Sequence, residues 1–280
     1  MPFSIAVPNK GRLCEDTLEL LRRTGIRVVA PDSRLIESLE GGKVNVLFVR
    51  AQDIPGYVAS GSVDLGVTGR DLVEEQGLPV EMLLDLNYGK CRLVLASPQA
   101  SKGSKVAAGS RVATPFPNLA RKYLQKLGVQ ASVIPVSGAT EVTPYIGVAD
   151  YIIDLVQTGS TLREHNLAAV ETILDSWAVL IGNSKTRQSV DVLDFVEAVR
   201  GVLAAAKRRY LMANVHEKDL DRVMKLLPGL SSPTVMKLSR EGMYAIHAVV
   251  EEGGLNSLLA NLKREGASGI LILPIERMVP

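Results

Sequence analysis

Aromatic side chains are scarce in this chain: one Trp, four Phe and seven Tyr make up 4% of its 280 residues. That leaves few of the stacking platforms on which single-stranded nucleic acid is held. Neither sign of charge is in excess. Thirty-two Lys and Arg against thirty Asp and Glu give a net charge of +2, which supplies no general attraction to nucleic acid or to a membrane surface. The two cysteines, Cys14 and Cys91, lie far apart. They exclude a cysteine-rich zinc site and point to reduced thiols in a cytoplasmic protein. His165, His216 and His247 lack metal-ligand spacing and read as surface or local hydrogen-bonding residues. No apolar run is long enough to span a membrane, and Phe3–Val7 is too short for the core of a signal peptide. Walker A, Gly-x-Gly-x-x-Gly and Gly-x-Ser-x-Gly patterns are all missing.

What is present is an alternation of short apolar runs with amphipathic stretches, the mark of α/β architecture with parallel sheets. Phe3–Val7, Val63–Thr68, Cys91–Ser97, Arg111–Thr114, Ser132–Val136 and Tyr151–Val156 read as strands, and Arg34–Leu39 with Val44–Val49 as a hairpin turned at Gly41-Gly42. Asn118 reads as the N-cap of a helix over 119–127, and Thr140–Gly147 as a further helix. Ala178–Ile181 closes the second set of strands. A long helix over 187–211, with Val190, Leu193, Val196, Val199 and Leu203 as its apolar stripe, ends in Lys207-Arg208-Arg209. Beyond it the pattern is βαββαβ, the ferredoxin-like order. An internal echo links Gly61-Ser-Val-Asp64-Leu-Gly-Val-Thr68-Gly69 to Gly147-Val-Ala-Asp150-Tyr-Ile-Ile-Asp154-Leu-Val-Gln-Thr158-Gly159. Each is a strand, a Thr-Gly turn and a helix start, which suggests two lobes facing across a cleft. The expected organisation is a first lobe from 1–90 and 182–211, a second from 91–181, and a terminal domain over 212–280.

The densest chemical signal is Glu141 through Leu162. A short apolar strand carries the carboxylate of Asp154 and runs into Thr158-Gly159-Ser160-Thr161. Loop amides, hydroxyls and a helix start together suit a phosphate, while a carboxylate inside an apolar strand is costly unless paired or functional. Other polar residues also stand at strand ends: Lys10 and Arg12, Arg50, Thr68, Arg70 and Asp71, Thr114 and Asn118, and Glu141. Cations and amides suit phosphates, and the acids suit ribose hydroxyls or a cationic centre. A phosphorylated sugar or nucleotide is the expected ligand. Taken singly, Lys10, Arg12 and Arg70 also read as solvated surface charges, Glu141 as a first-turn helix acid and the Thr-Gly-Ser-Thr loop as a cap.

Glu141-x5-Gly147-x-Ala149-x2-Ile152-x-Asp154-Leu155-x2-Thr158-Gly159-x-Thr161-Leu162 resembles the signature of the ATP phosphoribosyltransferases, the first enzymes of histidine biosynthesis. Asn9-Lys-Gly-Arg12, Val63 to Asp71, Thr114-Pro-Phe-Pro-Asn118 and Pro228 to Thr234 extend the resemblance along essentially the whole chain, and the terminal domain makes it similar to the long form of the family. The resemblance implies two periplasmic-binding-protein-like lobes plus a C-terminal ferredoxin-like βαββαβ domain. It implies transfer of phosphoribose from phosphoribosyl pyrophosphate to N1 of ATP, with Mg²⁺ as cofactor and pyrophosphate released. It places Asp154, Thr158, Gly159, Ser160 and Thr161 on the 5-phosphate and ribose, Arg50, Asp71 and Leu72 near the adenine nucleotide, and Lys10 and Arg12 toward phosphates. Glu141 and Asp154 are expected to hold the ribose and stabilise its developing cation, since adenine N1 already offers a lone pair. Histidine is expected to inhibit at Asn214, Leu230, Thr234 and Gly269, within dimers or hexamers of the chain.

Two other readings compete: a non-catalytic two-lobed binding protein that captures a small anion, and a ligand-responsive DNA regulator with the same lobes. The sugar-phosphate loop and the appended domain weigh against the first, and the near-neutral charge against the second.

Overall fold

The computed structural model describes residues 3–26, 28, 36–39, 43–98, 106–184, 186, 189–227 and 232–279. The turn expected at Gly41-Gly42, and Leu230 of the expected inhibitor site, lie outside the described residues. The chain divides into two compact units, Met1–Arg22 with Ile26–Asp194, and Arg23–Gly25 with Phe195–Pro280.

The first unit contains two mixed sheets. In its first lobe the elements run β1 (Phe3–Pro8), α1 (Cys14–Arg23), β2 (Ile36–Leu39), β3 (Val44–Val49), α2 (Ile54–Ala59), β4 (Leu65–Gly69), α3 (Arg70–Gln76) and β5 (Glu81–Asp85). The second lobe holds β6 (Cys91–Pro98), β7 (Arg111–Thr114), α4 (Pro117–Leu127), β8 (Ser132–Pro135), β9 (Tyr151–Val156), α5 (Ser160–Glu164) and β10 (Leu167–Ser176), after which β11 (Ala178–Gly182) re-enters the first sheet. Strand orders are β2-β3-β1-β4-β11-β5 and β10-β6-β9-β7-β8. The central strands are apolar on both faces, as sheets covered on both sides require: Ile5, Val7, Val46, Phe48, Leu65 and Leu180 are almost wholly buried in one sheet, and Leu93, Leu95, Ile152 and Ile153 in the other. Gly66 marks a close approach of helix to sheet. A Cβ there would stand 2.4 Å from the Ile54 side chain of α2.

The sequence echo has a topological counterpart. In the first lobe β3-β1-β4 are parallel and β11 and β5 continue antiparallel. The second lobe repeats this with β8-β7-β9 parallel and β6 and β10 antiparallel. The echoing strands β4 and β9 occupy the same position in each, where the parallel half meets the antiparallel half.

Several expectations need correction. Neither sheet is wholly parallel. Ala178–Ile181 belongs to the first lobe, not the second, because β11 pairs with β4 and β5. Strands β5 and β10 are not announced by the sequence pattern. Glu, Asp and Ala in β10 give it little intrinsic strand preference, and its pairing with β6 decides its conformation. Helix 140–147 is a single 3₁₀ turn, Thr140–Val142, entered through Ala139 at φ +49°. Two chain crossings join the lobes, Leu86–Lys90 and Trp177, tied together by Leu86 N–H to Ala178 O at 2.9 Å and Ala178 N–H to Tyr88 O at 3.0 Å.

The long helix is shorter than expected. It spans α6 (Val190–Ala205), with Val190 71% and Leu193 43% exposed, while Val192, Val196, Val199 and Val202 are buried. From Phe195 on it groups with the C-terminal unit rather than with the first lobe. Arg208 and Arg209 do not end a helix but open β12 (Arg208–His216), paired with Glu251 and Val250. The terminal sheet thus starts at 208, four residues before the expected boundary. It continues through α7 (Leu220–Leu226), β13 (Thr234–Lys237), β14 (Met243–Glu251), α8 (Leu255–Arg264) and β15 (Ser268–Pro274) in the antiparallel order β13-β14-β12-β15, the ferredoxin-like arrangement. Its core is Leu211, Ala213, Val215, Val223, Ile246, Ala248, Val250 and Leu262.

Candidate active site

Parallel strands β1, β3 and β4 end at one edge of the first lobe. Their carboxyl ends deliver Asn9 to Arg12, Arg50 to Gln52, and Asp71 and Leu72, which line one cavity of about 290 Å³ together with Phe116 and Leu155 of the second lobe. In the second lobe β7 pairs with β9 only at Tyr151 and Ile152, so the last residues of β9 extend past it into a crevice. There a second cavity of about 250 Å³ is lined by Glu141, Asp154 and the loop from Thr158 to Leu162, with Arg12 and Cys91 closing it. Arg12 and Leu155 border both cavities.

The loop brings hydroxyls and a left-handed glycine to the rim of this cavity. Gly159 holds φ +75° and ψ 11° ahead of α5, a left-handed conformation that a side chain would strain. The Thr158 and Ser160 hydroxyls lie 3.0 Å apart, and the Arg163 guanidinium donates to Thr158 O at 3.3 Å. Helix α5 has only five residues, so its amides and hydroxyls matter more than any macrodipole.

Asp154 Oδ1 accepts the Leu155 N–H at 2.7 Å. Burial pushes its carboxyl above the ordinary range; the amide of Leu155 and the Thr140 hydroxyl act against that, and the charge of Glu141 adds to it. Two carboxylates facing one cavity favour a ligand with positive character or hydroxyl donors. Glu141 stands 4.0 Å from His165 Nε2. The Cys91 thiol is pushed up chiefly by burial and stays neutral there.

Arg12 is held rather than free. Its guanidinium donates to Gly89 O in one crossing and to Asp71 Oδ1 at 3.0 Å. Asp71 is only 1% exposed, against 22% for Arg12. The Ser176 hydroxyl also donates to Asp71 Oδ1 and accepts the Asp71 N–H at 3.0 Å. Asp71 therefore faces the cavity mainly through the arginine it orients. Ser176 was not legible in the sequence, since its partner lies 105 residues away.

Some strand-end residues prove structural. Thr68 donates to Ala51 O at 2.7 Å, and the Thr114 hydroxyl accepts the Phe116 N–H at 2.9 Å. Arg70 pairs with Glu74 at 2.7 Å and lies 4.9 Å over the Trp177 ring. Asn118 is not the cap of α4; Phe116 takes that position, with no side-chain cap of its own. Asn9 lines the first-lobe cavity, and its buried Oδ1 has no hydrogen-bond partner among the described residues.

In the terminal unit, a Cβ on Gly269 would come within 3.1 Å of Asn214 Nδ2, so these two are neighbours. Thr234, on the far edge strand β13, pairs with His247 of β14. Two strands separate it from Gly269, a span of roughly 14 Å at sheet spacing. One copy of the sheet does not gather these residues around one small ligand.

No group of three or more His, Cys, Asp or Glu suited to a metal occurs among the described residues. No helix among them is long and apolar enough to cross a membrane.

Residues 50–201 match the family described as ATP phosphoribosyltransferase, and residues 205–277 match its C-terminal domain family. The ATP phosphoribosyltransferase of Methanosarcina acetivorans is 44% identical, with 99% of each chain covered. That of Methanothermobacter thermautotrophicus is 43% identical over the full length of both. Among solved structures, the ATP phosphoribosyl transferase (HisG:HisZ) complex from Thermotoga maritima superposes with a TM-score of 0.63 at 30% identity, covering 71% of this chain and 96% of that one.

Proposed function

Because the chain belongs to the ATP phosphoribosyltransferase family, a phosphoribosyl-transferring glycosyltransferase of histidine biosynthesis, we propose that it transfers phosphoribose from phosphoribosyl pyrophosphate to N1 of ATP, releasing pyrophosphate, across the two cavities that meet at Arg12. That shared border is the observation carrying the assignment. Family membership and the paired cavities together set aside the binding-protein and DNA-regulator readings.

In this reading the loop Thr158–Thr161 holds the 5-phosphate through amides and hydroxyls, and Asp154 receives the ribose hydroxyls. Arg50, Asp71 and Leu72 border the nucleotide, with Lys10 beside its phosphates. The adenine N1 lone pair forms the new bond to ribose C1 while the C1–oxygen pair departs with pyrophosphate. Positive charge develops on the ribose between Glu141 and Asp154, and negative charge on the leaving group beside Arg12. Such preoriented charges stabilise a transition state without reorganising. No side chain needs to remove a proton from N1.

Mg²⁺ belongs to the proposal as an ion brought by the substrate. With no three-ligand protein cluster among the described residues, the chain suits an ion held mostly by phosphate oxygens, with Glu141 or Asp154 supplying a carboxylate. Bound there, it would neutralise pyrophosphate charge.

Histidine inhibition is assigned to Asn214, Leu230, Thr234 and Gly269 of the terminal unit. The separation of Thr234 from Gly269 supports a site completed by a second copy, hence a homo-oligomer, dimer or hexamer. The open sheet face supports the same view: Met236 is 47%, Leu271 57% and Leu273 42% exposed.

Incubation with ATP, phosphoribosyl pyrophosphate and Mg²⁺ tests the activity. Stoichiometric pyrophosphate and a new ultraviolet-absorbing ATP adduct are expected; ligand binding without pyrophosphate release would overturn it.

A further inference from the structure

Helix α4 opens without a side-chain cap from its own N-cap residue. Phe116 sits at its N-cap with φ −120° and ψ 64°, and Pro117 occupies the first turn. The next two amides are met from the other lobe. Asn118 N–H donates to Glu75 Oε1 at 2.8 Å and Leu119 N–H to Glu75 Oε2 at 2.9 Å, while Asn118 Nδ2 reaches Glu75 O at 3.0 Å. Both oxygens of one carboxylate thus sit on the positive end of a helix, where hydrogen bonds are charge-assisted.

Position gives this contact its meaning. Glu75 lies on α3, one turn beyond Asp71 and Leu72, which line the cavity assigned to the nucleotide. The residue it helps to seat, Phe116, lines the same cavity from the second lobe. We propose that Glu75 is a positioning residue, an interlobe clasp that holds the second-lobe wall of the nucleotide cavity in place before ATP arrives. The proposal rests on the assignment of that cavity to ATP.

In the proposal the two lobes, joined at two crossings, exchange between open and closed forms, and a ligand that needs the closed form binds more weakly in proportion to its scarcity. A clasp that raises the closed population lowers the ATP concentration needed without altering the bound geometry. Removing it raises KM for ATP and spares kcat, because saturating substrate restores closure.

The test uses the full chain and the variants Glu75→Ala and Glu75→Gln. Pyrophosphate release should show KM for ATP raised by about tenfold in Glu75→Ala, with kcat within about twofold. Glu75→Gln, which keeps one acceptor oxygen, should lie between. An unchanged KM, or a kcat loss at unchanged KM, overturns the proposal, and Glu75→Gln decides if the alanine variant does not fold. Electron–electron distance measurement between spin labels at Ser62→Cys and Lys126→Cys gives a substrate-free readout. Both sites are exposed and both native cysteines are buried. Glu75→Ala should lengthen or broaden the interlobe distance; an identical distribution rejects the clasp. If the wild type releases no pyrophosphate, the enzymatic assignment fails, while the label distances still decide the clasp.

Discussion

Asp154 concentrates the tension between stability and function. Its burial favours the neutral carboxyl in the fold, so its contribution to stability is full below the ordinary carboxylate range and is lost as pH rises through the raised folded value. Asp154→Asn keeps the oxygen that accepts the Leu155 N–H and removes that loss. Thermal unfolding should show the variant at least as stable as wild type at pH 7, with the difference vanishing in acid. Turnover should fall by about 100-fold or more, the usual cost of removing one preoriented electrostatic partner. Full turnover at unchanged sugar-substrate affinity would end the assignment. This residue was legible in the sequence because a lone carboxylate interrupts an apolar strand. The Asp71–Ser176 contact was not, because nothing in the neighbourhood of Ser176 names a partner so distant.

At the scale of elements, the loop between β9 and α5 depends on one backbone conformation. Gly159 at φ +75° carries the chain from β9 into α5 along the cavity rim. Gly159→Ala should cost about 1 kcal/mol of stability in chemical denaturation. It should also weaken phosphoribosyl pyrophosphate binding by roughly tenfold, the scale of one lost charge-assisted hydrogen bond. An unchanged affinity would show that the loop amides do not hold the phosphate. The strand–Thr–Gly–helix pattern announced this turn correctly. The same kind of reading failed for the cap of α4, where Asn118 had the right chemistry but a carboxylate from another lobe took the amides.

For the whole molecule, the terminal sheet opens at Arg208 and its own hydrophobic cluster closes it. Deleting residues from Lys207 onward should leave a folded two-lobed chain by circular dichroism and abolish inhibition by histidine in the pyrophosphate assay. Inhibition that survived the deletion would place the effector elsewhere. A ligand in the terminal unit alters the cleft only by binding two states unequally. The inhibited state should therefore differ from the active one in lobe closure or in assembly, which scattering with and without histidine would register.

Local chemistry is written where it acts, so the sequence alone determined the glycine turn after β9, the carboxylate of Asp154, the cationic strand ends and the βαββαβ tail. Each depends on residue type and on spacing of a few positions. Tertiary structure decided the rest. It sent β11 back to the first sheet, made both sheets mixed, buried Asp71 against Arg12 and Ser176, and set Glu75 on the amides of α4. These outcomes come from partners far apart in the chain, selected by packing and by the need to satisfy buried polar groups, and no local pattern encodes such a choice.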